Sequence, residues 1–211
     1  MNTPRILISI DLEELHVQAG TSQQPGLEEG LQQAREGLEK TLILLDRYQV
    51  RATFFMTSTW AQAYPLIVRQ VARVHEVGAY GCMEKSIIEQ ISGSRVYGCR
   101  MPAGTTPDYR ALKVAGYLYH AGGQQVRPMT IMDELYEIYA EKIRPLWITR
   151  LLTGGRDVIS LRFNSSELAV SPTSRVLNPR LEGRLDSVLA YLQRKGQFMP
   201  HIEWLQEQLT D

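Results

Sequence analysis

Ile6-Leu7-Ile8-Ser9-Ile10 is a short apolar run rich in branched residues, and it ends in Asp11-Leu12-Glu13-Glu14. A near-continuous apolar run of this kind predicts a strand of a parallel sheet, buried on both faces. The carboxylates then stand at its C-terminal end, where open and closed α/β folds alike place their sites. The same alternation repeats outward from there. Residues 18–30 are rich in Gln, Gly, Thr and Ser and read as a loop. Leu31, Ala34, Leu38, Leu42, Leu45 and Tyr48 recur at steps of three and four, one face of a helix.

Val50–Phe55 predicts a second strand, and Thr57, Ser58 and Thr59 can cap the helical stretch after it. A helix follows over Pro65–Val74, with Pro65 suited to its first turn. Glu76–Tyr80 and Ser94–Cys99 read as the third and fourth strands. Pro107 opens a helix that Gly116 stops, and Tyr117–His120 is a fifth strand. Leu135–Tyr139 and Asp157–Phe163 read as a sixth and a seventh. Asn178-Pro179 starts a helix with Leu181, Leu185, Val188, Leu189 and Leu192 on one face. Gln197–Met199 and a helix from His201 close the chain. Strands alternating with helices predict a parallel sheet with helices outside it, either open and doubly wound or closed into a barrel. With no internal repeat or linker, residues 1–211 read as a single domain.

Composition narrows the function classes. Lys and Arg number 23 and so do Asp and Glu, so the chain is neutral and lacks the basic surplus that drives nucleic-acid binding. With 44% hydrophobic residues and no low-complexity tract, it can build a core rather than stay disordered. No apolar run approaches the roughly 18–20 residues of a membrane span. The N-terminus carries no signal-peptide pattern, so a cytoplasmic protein is expected. Cys82 and Cys99 read as reduced thiols there.

The strand ends are where chemistry is expected. The first strand delivers Asp11, Glu13 and Glu14; the third delivers Tyr80, Cys82 and Glu84. The fourth delivers Arg100, and the seventh delivers Asn164 with Glu167. Asp11 and Arg100 can form a carboxylate general base with an orienting cation, or an ion pair with a structural role alone.

These residues carry a resemblance. Ser9-Ile-Asp-Leu-Glu-Glu14 resembles the first motif of the polysaccharide deacetylases, the family-four carbohydrate esterases. Arg51-Ala-Thr-Phe-Phe55 resembles the strand that follows, and His75-Glu-Val-Gly-Ala-Tyr80 the segment leading to the second motif. Gly98-Cys-Arg-Met-Pro-Ala-Gly104 resembles the third motif, including Pro102, and Ala111–Tyr117 the helix and strand beyond. Asn164-Ser-Ser-Glu-Leu168 resembles the late motif. The matches span most of the chain in order. The resemblance implies an α/β fold, a distorted (β/α) barrel of about seven parallel strands. It also implies carbohydrate N-deacetylation assisted by zinc or another divalent metal, with Asp11 as base, Glu13 or Glu14 as carboxylate ligand and Arg100 orienting Asp11.

The chain departs from that pattern at each imidazole. Tyr80 and Glu84 stand where the resemblance implies two ligand histidines, and Asn164 where it implies a late histidine. The stretch from Glu84 to Arg95 also looks short beside family members, as though a helical piece were missing. A phenol is a poor metal ligand near neutral pH, and a carboxylate changes both charge and hardness. Asn has no proton to give at pH 7. Each lost acid or base costs roughly 10²–10⁴ in rate. No metal or other cofactor is therefore expected at Asp11. Glu13, Tyr80, Glu84, Pro102 and Asn164 are expected to meet a carbohydrate rather than an ion.

Of the histidines, His16 and His120 are the two that can face the cleft, while His75 and His201 read as structural. Trp60, Trp147 and Trp204 can stack on sugar rings, though packing is the simpler role for most of them. Two functions remain. One is a domain of carbohydrate or cell-surface polysaccharide metabolism with a degenerate site, binding a glycan or a polysaccharide-biosynthesis enzyme. The other is an active hydrolase of non-peptide C–N bonds, removing N-acetyl groups from a cytosolic amino-sugar intermediate, with Asp11 as base. A metal-free hydrolase using Asp11 in the same barrel is a weaker variant of the second.

Overall fold

The structure is a computed structural model that describes residues 3–14, 26–102, 104–122, 125–128, 135–139, 158–169 and 181–210. Its frame is one sheet in the order β2-β3-β4-β5-β6-β7-β8-β1-β9, and a further pairing of β2 with β1 curls it into a distorted barrel. The strands are β1 (Arg5–Leu12), β2 (Thr53–Met56), β3 (Glu76–Tyr80), β4 (Gly98–Arg100), β5 (Tyr119–Gly122), β6 (Gln125–Pro128), β7 (Leu135–Tyr139), β8 (Val158–Asn164) and β9 (Gln197–Phe198). All pairings are parallel except those of β6, which runs against both β5 and β7. β1 divides one edge: Ser9–Leu12 meets Thr53–Met56 of β2, and Arg5 and Ile6 meet Gln197 and Phe198 of β9.

Side chains alternate across each strand, and this alternation builds two apolar layers. Ile6, Ile8, Ile10 and Leu12 face outward with Phe54, Met56, Val77, Ala79, Leu161 and Phe163. There they are covered by α1 (Leu27–Arg47), α2 (Ser58–Ala63), α3 (Pro65–Ala72), α4 (Lys85–Ser92) and α6 (Leu181–Leu192). The short α5 (Tyr109–Val114) starts at Asp108, whose carboxylate accepts from the amides of Arg110 and Ala111. Leu7, Phe55, Tyr80, Tyr119 and Ala121 face inward and meet Met199, Ile202, Trp204 and Leu205. The last three belong to α7 (His201–Thr210), which plugs the N-terminal end of the barrel. Gly78 and Gly98 make room for this filling: a Cβ on either would lie 2.5 Å from the Phe55 ring or 2.0 Å from that of Tyr119.

The expected distorted barrel is the one formed, with local differences that have physical reasons. The fourth strand begins at Gly98 rather than Ser94, because Val96 N–H donates to the Glu89 carboxylate instead of to a neighbouring strand. The fifth begins at Tyr119, because Tyr117 N–H still closes the α5 terminus on Leu112. The antiparallel β6 was not expected. Between Glu84 and Arg95, α4 fills most of the stretch and ends at Gly93, left-handed at φ 72°. Among the described residues no helix is long and apolar enough to cross a membrane.

Candidate functional site

The C-terminal ends of β1, β3, β4 and β8 turn a layer of polar side chains into the barrel. Parallel register sets Asp11 beside Asn164, Ser9 beside Arg162, and Tyr80 beside Arg100. Asp11 lies at the centre and is 2% exposed. One carboxylate oxygen, Oδ1, accepts from Nη1 of Arg100. The other, Oδ2, accepts from Nε of Arg162 at 2.8 Å and lies 2.7 Å from Nη2 of the same guanidinium. Arg100 is fully buried; its Nη2 donates to Ser9 Oγ at 3.0 Å, and its guanidinium lies over the Phe55 ring at 4.2 Å. A buried guanidinium needs this much company, because an uncompensated buried charge costs several kcal/mol, about 3–5 where one partner of a pair is removed.

A second layer lies nearer solvent. Asn164 Nδ2 donates to Glu13 Oε1 at 2.7 Å, and Asn164 Oδ1 accepts from both the amide and the hydroxyl of Ser166. Asn164 thereby caps the 3-10 turn Ser165–Leu168. Tyr80 stands beside these groups. Its phenol is pushed above its usual range, first by burial and then by the charges of Glu13 and Asp11, so it remains neutral.

The remaining expected residues are placed around this pair of layers. Glu14 accepts from the Thr57 hydroxyl, and Thr57 caps α2 by accepting from Trp60 N–H at 3.1 Å. Glu84 accepts from Ser58 N–H at 2.8 Å, so its carboxylate is engaged by the start of α2. Pro102 is exposed on the rim. His120 does not face the cleft: it pairs with the outward Cys99, opposite in facing to Tyr119, and its ring meets Tyr109 edge-on. His75 and His201 are structural, as expected. His75 accepts from Ala52 N–H, and His201 lies at the barrel floor against Thr53 and Tyr119. Trp60 and Trp204 are buried packing residues. Cys82 and Cys99 are free thiols, and burial pushes Cys99 up to about 12. His16 and Trp147 lie outside the described residues.

Arg162 is the member that sequence reasoning missed. Its signal was present: it is the one charged residue within Ile159–Phe163 and stands two positions before Asn164, hence on the same face of a strand.

The donor set suits a divalent ion poorly. Both oxygens of Asp11 already accept charged hydrogen bonds, Tyr80 is a neutral phenol, Asn164 points its amide N–H at Glu13, and Glu84 is held by a backbone amide. Zinc favours thiolate, imidazole and open carboxylate donors. Among the described residues no group of three His, Cys, Asp or Glu side chains is gathered to hold an ion.

The model of the polysaccharide deacetylase family matches residues 28–83, from α1 past the end of β3. No curated protein matches the chain. Solved structures match over nearly its whole length at low identity. PuuE allantoinase has a TM-score of 0.70 and 13% identity, covering 95% of this chain and 88% of its own. A probable polysaccharide deacetylase from Pseudomonas aeruginosa PAO1 has a TM-score of 0.70 and 14% identity, covering 95% and 89%. A mutant of a CE4-family pseudoenzyme with restored enzymatic activity has a TM-score of 0.58 and 13% identity, covering 96% and 67%. At these identities the likeness is one of fold.

Proposed function

We propose, from the premise that this chain belongs to the polysaccharide deacetylase family, that it is a member with a degenerate site. It serves carbohydrate or cell-surface polysaccharide metabolism by binding a glycan or a biosynthetic partner, without efficient deacetylation. The observation that carries this is the state of Asp11: two guanidiniums occupy both of its oxygens. A general base needs a lone pair within reach of the water it deprotonates, and with Asp11 2% exposed and three of its roughly four acceptor positions facing guanidinium nitrogens, little of it is left for a water. Asn164 supports the same reading, since its amide has no proton to give a leaving amine at neutral pH. Were a metal bound, it would polarise the acetamide carbonyl and activate water, but the side chains around Asp11 are arranged for one another. In the binding role, Glu13, Tyr80 and Asn164 form the polar floor of the mouth. Pro102 belongs to its rim, and Arg100 and Arg162 fix the layer beneath. That a pseudoenzyme shares this fold, and regains activity by mutation, is consistent with a retained scaffold outliving its chemistry.

The test pairs two measurements on the same protein. Titration calorimetry with N-acetylated amino-sugar oligomers reads binding, and acetate release with and without added zinc reads catalysis. Binding heat without acetate is the expected result. Zinc-dependent acetate release, abolished in Asp11→Asn, establishes the active hydrolase instead. Release that a chelator leaves unchanged establishes the metal-free one.

A further inference from the structure

We propose that Arg162 is a resident cation: a side chain that holds the charge balance of the inward carboxylates at the barrel mouth, so that Asp11 takes up no divalent ion. This concerns the site discussed above but does not depend on the absence of activity, because a metal-free hydrolase would leave it intact.

Four charges meet at the ends of β1, β4 and β8. Asp11 and Glu13 are anionic; Arg100 and Arg162 are cationic. The two cations are not equivalent. Arg100 is fully buried, is tied to Ser9 as well as Asp11, and rests on Phe55, so it is part of the barrel's interior packing. Arg162 is bound to the other face of the carboxylate through two nitrogens on one oxygen. Its side chain keeps 10% of its surface open, and its charge bears on Tyr80 together with those of Glu13 and Asp11. Arg162 is thus the less buried of the two cations on Asp11. Asp11 is buried and Glu13 half-buried, so a single compensating cation would leave an unbalanced negative charge beside a buried carboxylate, which is costly. Arg162 removes that deficit. It also directs two nitrogens at Oδ2, one of the two oxygens that an incoming ion could use.

The neutral neighbours fit the same account. Asn164 offers an N–H to Glu13, and Tyr80 stays protonated, so neither adds a negative charge that a second cation would have to balance. The charges of Asp11, Glu13, Arg100 and Arg162 sum to zero, so these four groups together offer a dication no net negative charge.

The experiment uses the full chain, zinc and magnesium as the probes, and thermal melting with metal analysis after dialysis as readouts. Wild type is expected to retain no stoichiometric zinc and to keep its Tm when either ion is added. Arg162→Gln is expected to melt roughly 6–20 °C lower, the effect of breaking a buried pair in a chain of this size. It should regain part of that loss on addition of a divalent ion. The regain should vanish in the Asp11→Asn/Arg162→Gln pair, a readout that a merely packing role for Arg162 does not move. Arg162→Lys should stay near wild type without responding to either ion. Should Arg162→Gln fail to fold, recovery of folded protein in the double variant supports the proposal, and no recovery overturns it. One zinc per wild-type chain, lost in Asp11→Asn, overturns it, as does an Arg162→Gln protein indifferent to both ions.

Discussion

Glu76 and Tyr119 are joined by a 2.7 Å hydrogen bond at the floor of the barrel, the phenol donating to Oε1. The other oxygen of Glu76 accepts from the Thr53 hydroxyl at 2.7 Å and from the amide of Ile202 in the first turn of α7 at 3.1 Å. Glu76 therefore fastens three strands and the plugging helix at one point, and its charge favours the helix N-terminus. Glu76→Ala is expected to cost about 3 kcal/mol, because it orphans three buried donors at once; Glu76→Gln should cost less. Burial holds the Glu76 carboxyl above its usual range. The stability linked to that shift is fully present below the ordinary glutamate range and is lost as pH rises through the folded value. Urea melts of wild type and Glu76→Gln across pH check this: the wild type should lose stability relative to the variant as pH rises. Parallel curves would show that Glu76 does not titrate over that range.

His75 gives a pH dependence of opposite direction. Its ring lies edge-on to Phe54 at 5.1 Å and its Nδ1 accepts from Ala52 N–H at 3.2 Å. Burial, with help from Arg51, lowers its pKa from 6.5 to about 4. The unfolded chain then binds the extra proton first. This stability is complete above pH 6.5 and is lost as pH falls toward 4, by roughly 3 kcal/mol at most. His75→Asn keeps an acceptor for Ala52 and removes the titration. The gap in unfolding free energy between pH 7.5 and pH 5 should narrow in that variant, and an unchanged gap would assign it to other groups.

Legibility in the sequence followed the physics of burial. β1, β2 and β3 could be read because both faces are covered, so apolar runs stand out against polar loops. The Asp11–Arg100 pair could be read because both residues stand at strand ends, where polar groups are conspicuous. Arg162 was hidden one step below such an end, inside a strand whose other residues supplied the apolar signal. The facing of His120 depends on register with Cys99, which periodicity on a short strand does not specify. The carboxylate of Glu84 is claimed by the amide of Ser58, a contact between segments 26 residues apart that no local pattern announces.

Gly37 ties the long first helix to the mouth. A Cβ at this position would lie 1.7 Å from the carbonyl oxygen of Ser165, in the turn that Asn164 caps. Seven residues earlier on the same helix, a Cβ on Gly30 would lie 1.6 Å from the carbonyl oxygen of Glu14. These two glycines seat the loops after β1 and β8 directly on the α1 backbone. Gly37→Ala must push helix and turn apart, so it is expected to cost about 2–3 kcal/mol despite the better helix propensity of Ala. Amide exchange should then quicken at Ser166, whose N–H bonds Asn164. A stabilised Gly37→Ala protein would show that helix and turn separate freely.

Asn164→His tests whether restoring one imidazole restores chemistry. The amide of Asn164 serves two neighbours, donating to Glu13 and accepting from Ser166 N–H and Oγ. A neutral imidazole has one donor and one acceptor nitrogen, but placed differently from the amide's, so it cannot serve Glu13 and both groups of Ser166, and the variant should lose about 1–2 kcal/mol of stability. It supplies a group that titrates near neutral pH, as a general acid must. It leaves Asp11 between Arg100 and Arg162, and the base remains engaged. Acetate release from N-acetylated amino sugars should therefore stay at background in Asn164→His, with or without zinc. Release that rises in this single variant would mean that the missing acid, rather than the occupied carboxylate, is what holds the site silent.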